Sequence, residues 1–323
     1  MQIICIIDNM KIAFVGKGGS GKSTIASLFI KHSLQQGSRV LAIDADLNMH
    51  LSKLLHITDS VSSLTDSSAS AAIKTYVQGD NPRITSPESI INTTPPGKGS
   101  RLVTLDESNE LLNKIAYRKD KLSFLQVGVP IQYDLGIRCY HVNMEIAETL
   151  LAHTNEGSND YVVVDMTAGA DAFATSMYAH FDLLFLVVEP TVESTSVLED
   201  YLRLGQEFGI ADRIKAIANK VETDSDHAYL QKYGDTIAAS LPYLPDLRRS
   251  LRDGLEVQVK SYPAIQQMFD QVQQFVLSSI KVDKNKKLKR LQALHKIISQ
   301  KPHNVSAFGD LSQQIDPEFV FKD

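Results

Sequence analysis

The sequence predicts an α/β fold in which a mostly parallel central sheet is flanked by helices, with a helical extension at the C-terminus. One observation is an apolar run at residues 12–15, which leads through a glycine-rich loop into residues 23–30, where apolar positions recur at helical spacing. Another is that further short apolar runs follow and alternate with helical patterns. Continuous apolar runs of this kind are typical of strands buried on both faces of a parallel sheet.

The loop after the first run carries the pattern G-x-x-x-x-G-K-[ST], a phosphate-binding signature. Its residues are Gly16, Lys17, Gly18, Gly19, Ser20, Gly21, Lys22, Ser23 and Thr24. Glycines let backbone N–H groups approach an anion without an intervening Cβ, and the start of a helix adds partial positive charge. Lys22 is placed to reach the β- and γ-phosphates, and the Ser23 hydroxyl to bind Mg²⁺. An ordinary glycine turn is the alternative, but the strand-to-helix context favours nucleotide binding.

A second lysine, Lys17, sets this loop apart from the general pattern. Residues 17–23 read Lys-Gly-Gly-Ser-Gly-Lys-Ser, which resembles the deviant Walker A motif of the SIMIBI-class P-loop ATPases, the group of MinD, ParA, the nitrogenase iron protein and CooC. In that group the extra lysine crosses a dimer interface to the nucleotide of the other subunit. The resemblance implies that ATP is the nucleotide, that Lys17 acts in trans and that the ATP-bound form is a homodimer. A solvated loop lysine is the alternative.

Size, charge and cysteine content limit the remaining classes of function. The 323 residues suffice for one large α/β domain with additions or for two small domains. A net charge of −5 argues against a surface that binds nucleic acid throughout. Cys5 and Cys139 are the only cysteines, so no disulfide framework is expected and we predict a cytoplasmic protein. No apolar stretch approaches the roughly 18 residues that span a bilayer.

Composition divides the chain into three predicted parts. They are an N-terminal extension at residues 1–9, a P-loop ATPase domain at 10–280 and a basic helical extension at 281–323. Met10 stands where the resembling family usually begins, so the preceding residues are either an extra edge strand or a choice of start site. Residues 58–100 form a Ser- and Pro-rich insertion, which we expect to be partly mobile without nucleotide.

Two aspartates end the second apolar run, at residues 39–44 and just beyond. Asp44 and Asp46 therefore lie at the carboxyl edge of the predicted sheet, where ligands of open α/β folds bind. The resemblance assigns Asp46 to switch I, as the residue that orients or activates the attacking water, and places Asp44 near the Mg²⁺ ion. Together with Lys17 and Lys22, Asp46 makes up the predicted catalytic set. A cap for the segment that follows is the alternative.

A third apolar run at residues 161–166 predicts the Walker B strand and switch II. The resemblance has Asp165 bind Mg²⁺ through water and the Gly169 N–H sense the γ-phosphate. The motif Asp-Met-x-Ala-Gly at residues 165–169 resembles the corresponding motif of CooC-type proteins more than that of ParA. A plain buried strand explains this run poorly, because a buried aspartate needs a partner.

Further strands are expected at residues 101–105, 122–127, 181–188, 214–221 and 237–241, and helices at 69–77, 144–153, 193–208 and 264–280.

The base-binding part of the site is predicted from the ends of the two strands at residues 214–221 and 237–241. Asn219 and Lys220 resemble the family's base-reading element, since the Asn219 amide can pair with an adenine edge. Pro242 and Tyr243 resemble the loop that closes over adenine. A turn is the alternative for the Asn-Lys pair.

Three positions depart from the family pattern. Leu47 stands where Pro is usual and His50 where Asn or Asp is usual, which puts the detail of switch I in question. Leu244 replaces the usual Asp of the adenine loop, so base contacts there are expected from apolar groups or from the backbone.

The pair Cys139 and His141 is a candidate metal site. CooC-type nickel-insertion ATPases carry Cys-x-Cys at this place, from which two subunits jointly bind metal. Two Cys-x-His pairs, one from each subunit, would provide four ligands for Zn²⁺ or Ni²⁺ at a dimer interface. A buried structural cysteine beside a helix-capping histidine is the alternative.

The basic segment at residues 281–301 predicts an amphipathic helix. Its apolar face would carry Leu288, Leu291, Leu294 and Ile298. Such a helix could lie on an anionic membrane, contact nucleic acid or dock on an acidic partner. An ordinary helix with a solvated face is the alternative, and we favour it.

These features predict a dimeric molecular switch that binds and hydrolyses ATP. The leading hypothesis is a CooC-like accessory ATPase in metallocentre maturation, with a metalloenzyme or its maturation factor as client. The second is a MinD/ParA-type positioning or partition ATPase that acts on a membrane or on a DNA-bound partner. A reductase like the nitrogenase iron protein is disfavoured, because a [4Fe–4S] cluster shared across a dimer needs two cysteines per subunit and only Cys139 lies in the relevant region.

Overall fold

The central feature of the fold is one eight-stranded sheet, seen in a computed structural model that describes residues 9–128 and 140–322. The strands are β1 (Met10–Val15), β2 (Arg39–Ala45), β3 (Tyr117–Lys119), β4 (Leu122–Gln126), β5 (Asp160–Met166), β6 (Leu183–Val188), β7 (Ile214–Val221) and β8 (Ile237–Pro242). Their order is β3-β4-β2-β5-β1-β6-β7-β8, and all neighbours are parallel except β3 with β4. The predicted mostly parallel sheet is confirmed.

Helices cover both faces of the sheet. Those of the described residues are α1 (Lys22–Gln35), α2 (Leu51–Leu54), α3 (Ser67–Gln78), α4 (Glu110–Ile115), α5 (Tyr140–His153), α6 (Asp171–Ala174), α7 (Val192–Glu207), α8 (Asp224–Leu230), α9 (Pro245–Arg252), α10 (Pro263–Ser279), α11 (Lys284–Ile298) and α12 (Pro302–Phe308). Across these residues, no helix combines the length and apolar character that a membrane crossing requires.

Alternate residues of β1 belong to two different hydrophobic cores. Ile12 and Phe14 pack with α1 and α10 on one face, where the rings of Phe14 and Phe29 lie 5.8 Å apart. Ala13 and Val15 join the core on the other face, to which α3, α4, α5 and α7 contribute. Because both faces of the strand are buried, its sequence is apolar from Ile12 to Val15, and the one charged residue, Lys11, is buried as well.

Most of the predicted elements agree with the structure to within a few residues, but the strand expected at residues 101–105 is wrong. The Val103 N–H donates to the His153 carbonyl at 2.9 Å, and the Val103 carbonyl accepts from the Asn155 N–H at 2.9 Å. These bonds form an isolated bridge beside the end of α5, away from the sheet. The short elements β3, α4, α8, α9 and α12 were not predicted.

The Ser- and Pro-rich segment at residues 58–100 is packed into the domain. Ile73, Val77, Ile84 and Ile90 are buried in the core that α5 and α7 share. The segment therefore contributes apolar surface to the fold as well as polar loops.

The C-terminal extension covers this segment. The Thr93 hydroxyl lies 3.0 Å from Nδ1 of His295, and the Thr94 hydroxyl donates to Oε1 of Gln314 at 2.9 Å. The Lys98 N–H donates to Asp316 at 2.9 Å. These buried polar contacts join segments about two hundred residues apart in sequence.

The face of α11 that the sequence offers to a membrane is turned inward. Leu288 and Leu291 are buried, and Leu294 packs against the core. The membrane interpretation of this face is therefore wrong for the fold described, because the domain itself covers the apolar side chains. The alternative of an ordinary helix with a solvated polar face agrees with the structure.

Some predictions fall outside the described residues. Residues 1–8 of the predicted N-terminal extension and Cys139 are among these. His141 lies in the first turn of α5, of which the structure describes only the backbone at that position.

Candidate nucleotide-binding site

The predicted site residues meet at the carboxyl edge of the parallel strands, as in other open α/β sheets. β1 runs into the phosphate-binding loop, and β2 and β5 bring Asp44 and Asp165 to the same level of the sheet, where they are register partners. Asn219 lies near the end of β7, and Pro242 ends β8. One edge of the sheet thus gathers the phosphate, metal and base contacts that the motifs predict.

Close backbone approach explains two of the loop glycines. Gly16 has a φ of +138°, and a Cβ there would lie 2.6 Å from the Val187 carbonyl oxygen. Gly21 has a φ of +98°, and a Cβ there would lie 2.5 Å from Nδ2 of Asn219. Gly21 is also the N-cap of α1, so the free N–H groups at the start of a 14-residue helix lie at the loop. The backbone therefore forms an anion-binding cradle that side chains would obstruct.

The other residues of the loop differ in solvent exposure. Gly18 and Gly19 form an exposed tip, and Ser20 is buried. Ser23 and Thr24 are half-buried in the first turn of α1. Lys17 is half-buried, and its ammonium makes no hydrogen bond or ion pair with another described residue. A cation without an internal partner, next to an exposed tip, is available to a ligand or to a second subunit.

Lys22 and Asp46 face each other across the phosphate-binding loop. Lys22 is only 6% exposed, and its Nζ lies 3.8 Å from Oδ2 of Asp46. The other oxygen of Asp46, Oδ1, accepts hydrogen bonds from the backbone N–H and the side-chain amide of Asn48, at 2.9 and 3.1 Å. Asp46 is thus oriented by one oxygen while the other points toward Lys22, the lysine predicted to bind phosphate.

Asp165 has the features of a metal ligand. It is 0% exposed, and neither of its carboxylate oxygens has a hydrogen-bond partner among the described residues. Burial raises the pKa of Asp165 to about 8, an effect opposed by the nearby Ser23 hydroxyl and increased by the charge of Asp44. A buried carboxylate without partners is costly, and a hard cation with oxygen ligands would remove that cost. Ser23 and Asp165 therefore fit Mg²⁺.

Asp44 is placed close to this site but its oxygens are already engaged. Oδ1 accepts from the Asp46 N–H at 3.2 Å, and Oδ2 accepts from the Leu51 N–H at 3.0 Å. Burial raises the pKa of Asp44 to about 6, against the effect of these backbone hydrogen bonds. The contacts favour a role in holding switch I and the start of α2 in place. Direct participation of Asp44 at the metal remains a prediction.

Switch I itself contains the two positions that differ from the family pattern. Leu47 is 43% exposed, directly after the oriented Asp46. His50 is the residue before α2 and is exposed. An exposed apolar residue beside the phosphate site is consistent with a segment that meets another surface.

Switch II touches the phosphate-binding loop directly. The Gly169 N–H donates to the Gly16 carbonyl at 3.3 Å, and Gly169 has a φ of +89°. On the other side, the Gly169 carbonyl accepts a hydrogen bond from the Tyr201 hydroxyl at 3.0 Å. The predicted γ-phosphate sensor is therefore in contact with the predicted phosphate-binding loop.

A cavity of about 410 Å³ lies beside the start of α1, within the usual size range of small-molecule sites. It is lined by Gly21, Thr24, Ile25, Asn219, Lys220, Leu241, Pro242, Tyr243, Leu244, Leu247, Arg248 and Leu251. Leucine side chains supply most of its apolar wall, and Leu244 is one of them. This agrees with the expectation that the base contacts here are apolar, and it brings all four predicted base-site residues together.

Asn219 and Lys220 also hold the phosphate-binding loop. Nδ2 of Asn219 donates to the Ser20 carbonyl at 2.7 Å. Nζ of Lys220 donates to the Gly19 carbonyl at 2.8 Å and forms a 2.5 Å ion pair with Glu189. One donor of the Asn219 amide is therefore committed to the loop, which leaves its remaining polar groups for the base.

Sequence reasoning missed three residues of this region. Glu189 anchors Lys220, Arg248 donates to the Tyr243 hydroxyl at 2.9 Å, and Tyr201 holds Gly169. Glu189 directly follows β6, and an acidic residue at a strand end was a signal that could have identified it. Tyr201 lies in the middle of α7, where helical spacing marks it only as a core residue.

The candidate Zn²⁺ or Ni²⁺ site is not assembled within the described part of the chain. Over residues 9–128 and 140–322, no group of three or more His, Cys, Asp and Glu side chains is arranged to hold a metal ion. Because Cys139 lies outside these ranges, its pairing with His141 stays a prediction.

Comparison with known proteins identifies the family. Residues 12–257 match the CbiA family, the CobQ/CobB/MinD/ParA nucleotide binding domain. The carbon monoxide dehydrogenase accessory protein CooC of Rhodospirillum rubrum is 26% identical over 249 residues, which cover 76% of this chain and 88% of that protein. An uncharacterized ATP-binding protein of Methanocaldococcus jannaschii is 23% identical over 270 residues, which cover 81% of this chain and 97% of that protein.

The fold is similar to that of a solved cell division ATPase, MinD of Pyrococcus furiosus. The TM-score is 0.55 at 19% identity, and the similarity covers 83% of this chain and 98% of the MinD chain. At this identity the likeness concerns the fold. Together with the phosphate-binding loop and the match over most of the sequence, it confirms the resemblance inferred from the deviant Walker A motif. The chain belongs to the CobQ/CobB/MinD/ParA family of P-loop nucleotide-binding proteins.

Proposed function

We propose that this protein is a molecular switch that binds and hydrolyses ATP as a homodimer. The observation that carries the proposal is the juxtaposition of Lys22, Asp46 and the unpartnered Asp165 at one edge of the sheet. These are a phosphate-binding cation, an oriented carboxylate and a metal-binding carboxylate, which are the groups that phosphoryl transfer requires.

The proposed mechanism is positioning and charge stabilisation. The backbone N–H groups of the loop and Lys22 bind the β- and γ-phosphates and stabilise the charge that develops on the transferred group. Mg²⁺, when held by Ser23 and Asp165, supplies further positive charge at the phosphates. Asp46, whose Oδ1 is held by Asn48, positions the attacking water with Oδ2, the oxygen that faces Lys22. The apolar cavity beside α1 excludes water from the base and fixes the nucleotide relative to these groups.

Substitution of Lys17 tests whether the protein acts as a homodimer. We expect Lys17→Ala to retain ATP binding, because Lys22 and the loop backbone are intact. It should lose dimer formation with a non-hydrolysable ATP analogue and Mg²⁺ in sedimentation velocity. Its kcat should fall by about a hundredfold or more, the scale of removing one charge-stabilising group from a transition state.

Lys53→Ala is the matched control, since Lys53 is an exposed lysine on α2. It should behave as the wild type in both measurements. A Lys17→Ala variant that still dimerises and hydrolyses ATP normally would refute the trans role, and a wild-type protein without ATPase activity would refute the proposal as a whole.

We further propose that the switch serves as an accessory ATPase in metallocentre maturation. The similarity to CooC over 76% of this chain and the Cys139-Tyr140-His141 sequence support this role. The metal is then cargo, held jointly by two subunits. Equilibrium dialysis of the ATP-bound dimer against Zn²⁺ or Ni²⁺ should give one ion per dimer, and Cys139→Ser should abolish that binding. Unchanged metal binding by Cys139→Ser would contradict the role.

The positioning ATPase is the weaker candidate. Its membrane-binding version depended on the apolar face of α11, which the domain covers. The exposed lysines that remain on α11 are Lys286, Lys289 and Lys296. ATP-dependent co-sedimentation with anionic liposomes or with DNA would revive this candidate, and its absence would remove it.

A further inference from the structure

Tyr201 is linked to switch II at two points. Its hydroxyl donates to the Gly169 carbonyl at 3.0 Å. Its ring packs edge-on against Phe173, with ring centroids 5.2 Å apart. Phe173 belongs to α6, the short helix that directly follows Gly169 and the rest of switch II. A residue in the middle of α7 therefore holds both the sensor glycine and the segment after it.

The position of Tyr201 is itself firmly set. Its side chain is fully buried, at 0% exposure. Phe173, its contact, stacks on Tyr178 with centroids 5.3 Å apart and also touches Phe208. A buried ring in such a cluster has little rotational freedom, so the hydroxyl presents a fixed donor to Gly169.

Gly16 and Tyr201 both bind the backbone of Gly169. The N–H on one side donates to the Gly16 carbonyl at 3.3 Å, a long hydrogen bond. The carbonyl on the other side is held by Tyr201. A γ-phosphate that takes the Gly169 N–H must displace the Gly16 carbonyl, whereas a nucleoside diphosphate leaves that bond in place. With ATP, the tether from Tyr201 consequently bears more of the positioning of Gly169.

The geometry points to Tyr201 as a positioning residue that lets the site distinguish ATP from ADP. This inference rests on the proposed function and deepens it, because it assigns a residue to the nucleotide-state readout of the same site. The Tyr201 hydroxyl holds Gly169 where its N–H can bind the γ-phosphate. A ligand shifts an equilibrium only through contacts that differ between the two states, and here that contact is the one between the Gly169 N–H and the γ-phosphate, which the Tyr201 hydroxyl positions.

Tyr201→Phe removes the hydroxyl and keeps the ring. The test is to measure the dissociation constants of ADP and of a non-hydrolysable ATP analogue, each with Mg²⁺, in a Lys17→Ala background so that dimer formation does not contribute. The preference for the ATP analogue over ADP should fall about fivefold, which corresponds to a net hydrogen bond of about 1 kcal/mol. Most of the change should lie in the affinity for the ATP analogue.

Tyr178→Phe is the matched control. Tyr178 belongs to the same aromatic cluster, and its hydroxyl makes no hydrogen bond with another described residue. This variant should keep the wild-type preference. The circular dichroism spectrum and the thermal midpoint of both variants establish that they are folded.

Three results would overturn the inference. They are an unchanged preference in Tyr201→Phe, equal losses of affinity for both nucleotides, and the same loss in Tyr178→Phe. The readout is nucleotide binding, so it does not depend on hydrolysis, dimer formation or a client. If the wild type hydrolyses ATP but Tyr201→Phe keeps its preference, this inference fails and the proposed function stands. A wild-type protein that binds nucleotide but fails to hydrolyse it refutes the proposed function alone.

Discussion

The burial of Asp165, a residue predicted to bind metal, has a cost to the stability of the fold. Its burial without a partner raises its pKa to about 8, whereas an ordinary aspartate has a pKa near 3.8. Without a cation the folded protein must either bury a charge or hold a proton there. Such a carboxylate lowers the stability of the metal-free protein and favours metal binding, as expected of a functional carboxylate.

The sign of the resulting pH dependence follows from the raised pKa. Between about pH 4 and pH 8 the folded state retains a proton on Asp165 that the unfolded state has released. The free energy of unfolding contributed by this group therefore falls as the pH rises through that window, by at most about 1.4 kcal/mol per pH unit.

We expect Asp165→Asn to remove this contribution, because an amide does not titrate. In urea unfolding without Mg²⁺ at pH 5, 6, 7 and 8, the variant should become progressively more stable than the wild type as the pH rises. Asp59→Asn, a change at an exposed position, should show a constant difference. A difference for Asp165→Asn that is also independent of pH would contradict the assigned pKa.

At the scale of elements, α11 is held to the sheet by buried charge as well as by leucines. Nζ of Lys287 lies 2.7 Å from Asp182 and 3.3 Å from Glu156, and all three are almost fully buried. Lys11 of β1 joins the same cluster through a 3.2 Å ion pair with Glu156 and hydrogen bonds to the carbonyls of Leu151 and Thr154. The first strand and a helix near the end of the chain thus share one ion cluster.

Removing one member of such a cluster leaves the others uncompensated. We expect Lys287→Met to lower the free energy of unfolding by about 3–5 kcal/mol, the range for breaking a buried ion pair from one side. Lys286→Met, at the neighbouring exposed position, should change it by less than about 0.5 kcal/mol. Guanidinium unfolding monitored by circular dichroism measures both. Equal effects would show that the buried lysine does not hold α11.

At the level of the whole molecule, the C-terminal extension packs against the nucleotide-binding domain. It buries Leu288 and Leu291 and supplies partners to Thr93 and Thr94 of the Ser- and Pro-rich segment. Composition suggests a division into an ATPase domain at residues 10–280 and a separate extension at 281–323. That division remains a prediction, and these contacts cross its boundary. The packing favours a single cooperative unit.

Deletion of residues 281–323 tests this. The truncated chain should be unstable or aggregate, because it exposes apolar surface and leaves Asp182 and Glu156 without Lys287. A full-length variant with Gln at Lys286, Lys289 and Lys296 is the control, and it should keep the wild-type thermal midpoint because these side chains are exposed. Analytical size exclusion and thermal unfolding provide the comparison. A monodisperse truncated protein with the wild-type midpoint would show that the extension is an independent module.

The parts of the site that lie within one short stretch of chain were predictable from sequence. The phosphate-binding loop is an example, since its glycines, Lys22 and Ser23 follow one another and their conformation is set by the local backbone. The base cavity was predictable in part, because Asn219 lies near the end of β7 and Tyr243 follows β8, and both strands end at the same edge. Arg248 and the leucines of α9 were not predicted, although Pro245 at the first helical position and the i,i+4 spacing of Leu247 and Leu251 were a signal for this helix.

The fold class, the order of the nucleotide-binding motifs and the residues that meet at the strand ends could all be predicted from the order of the amino acids. Each of these follows from local pattern and from the rule that parallel strands bring their carboxyl ends together. The tertiary structure alone decided that α11 turns its leucines inward, that Lys287 pairs with Asp182, and that Tyr201 holds Gly169. The Tyr201–Gly169 and Lys287–Asp182 contacts join residues 32 and 105 positions apart in sequence, so they depend on how the helices pack on the sheet and not on any local propensity.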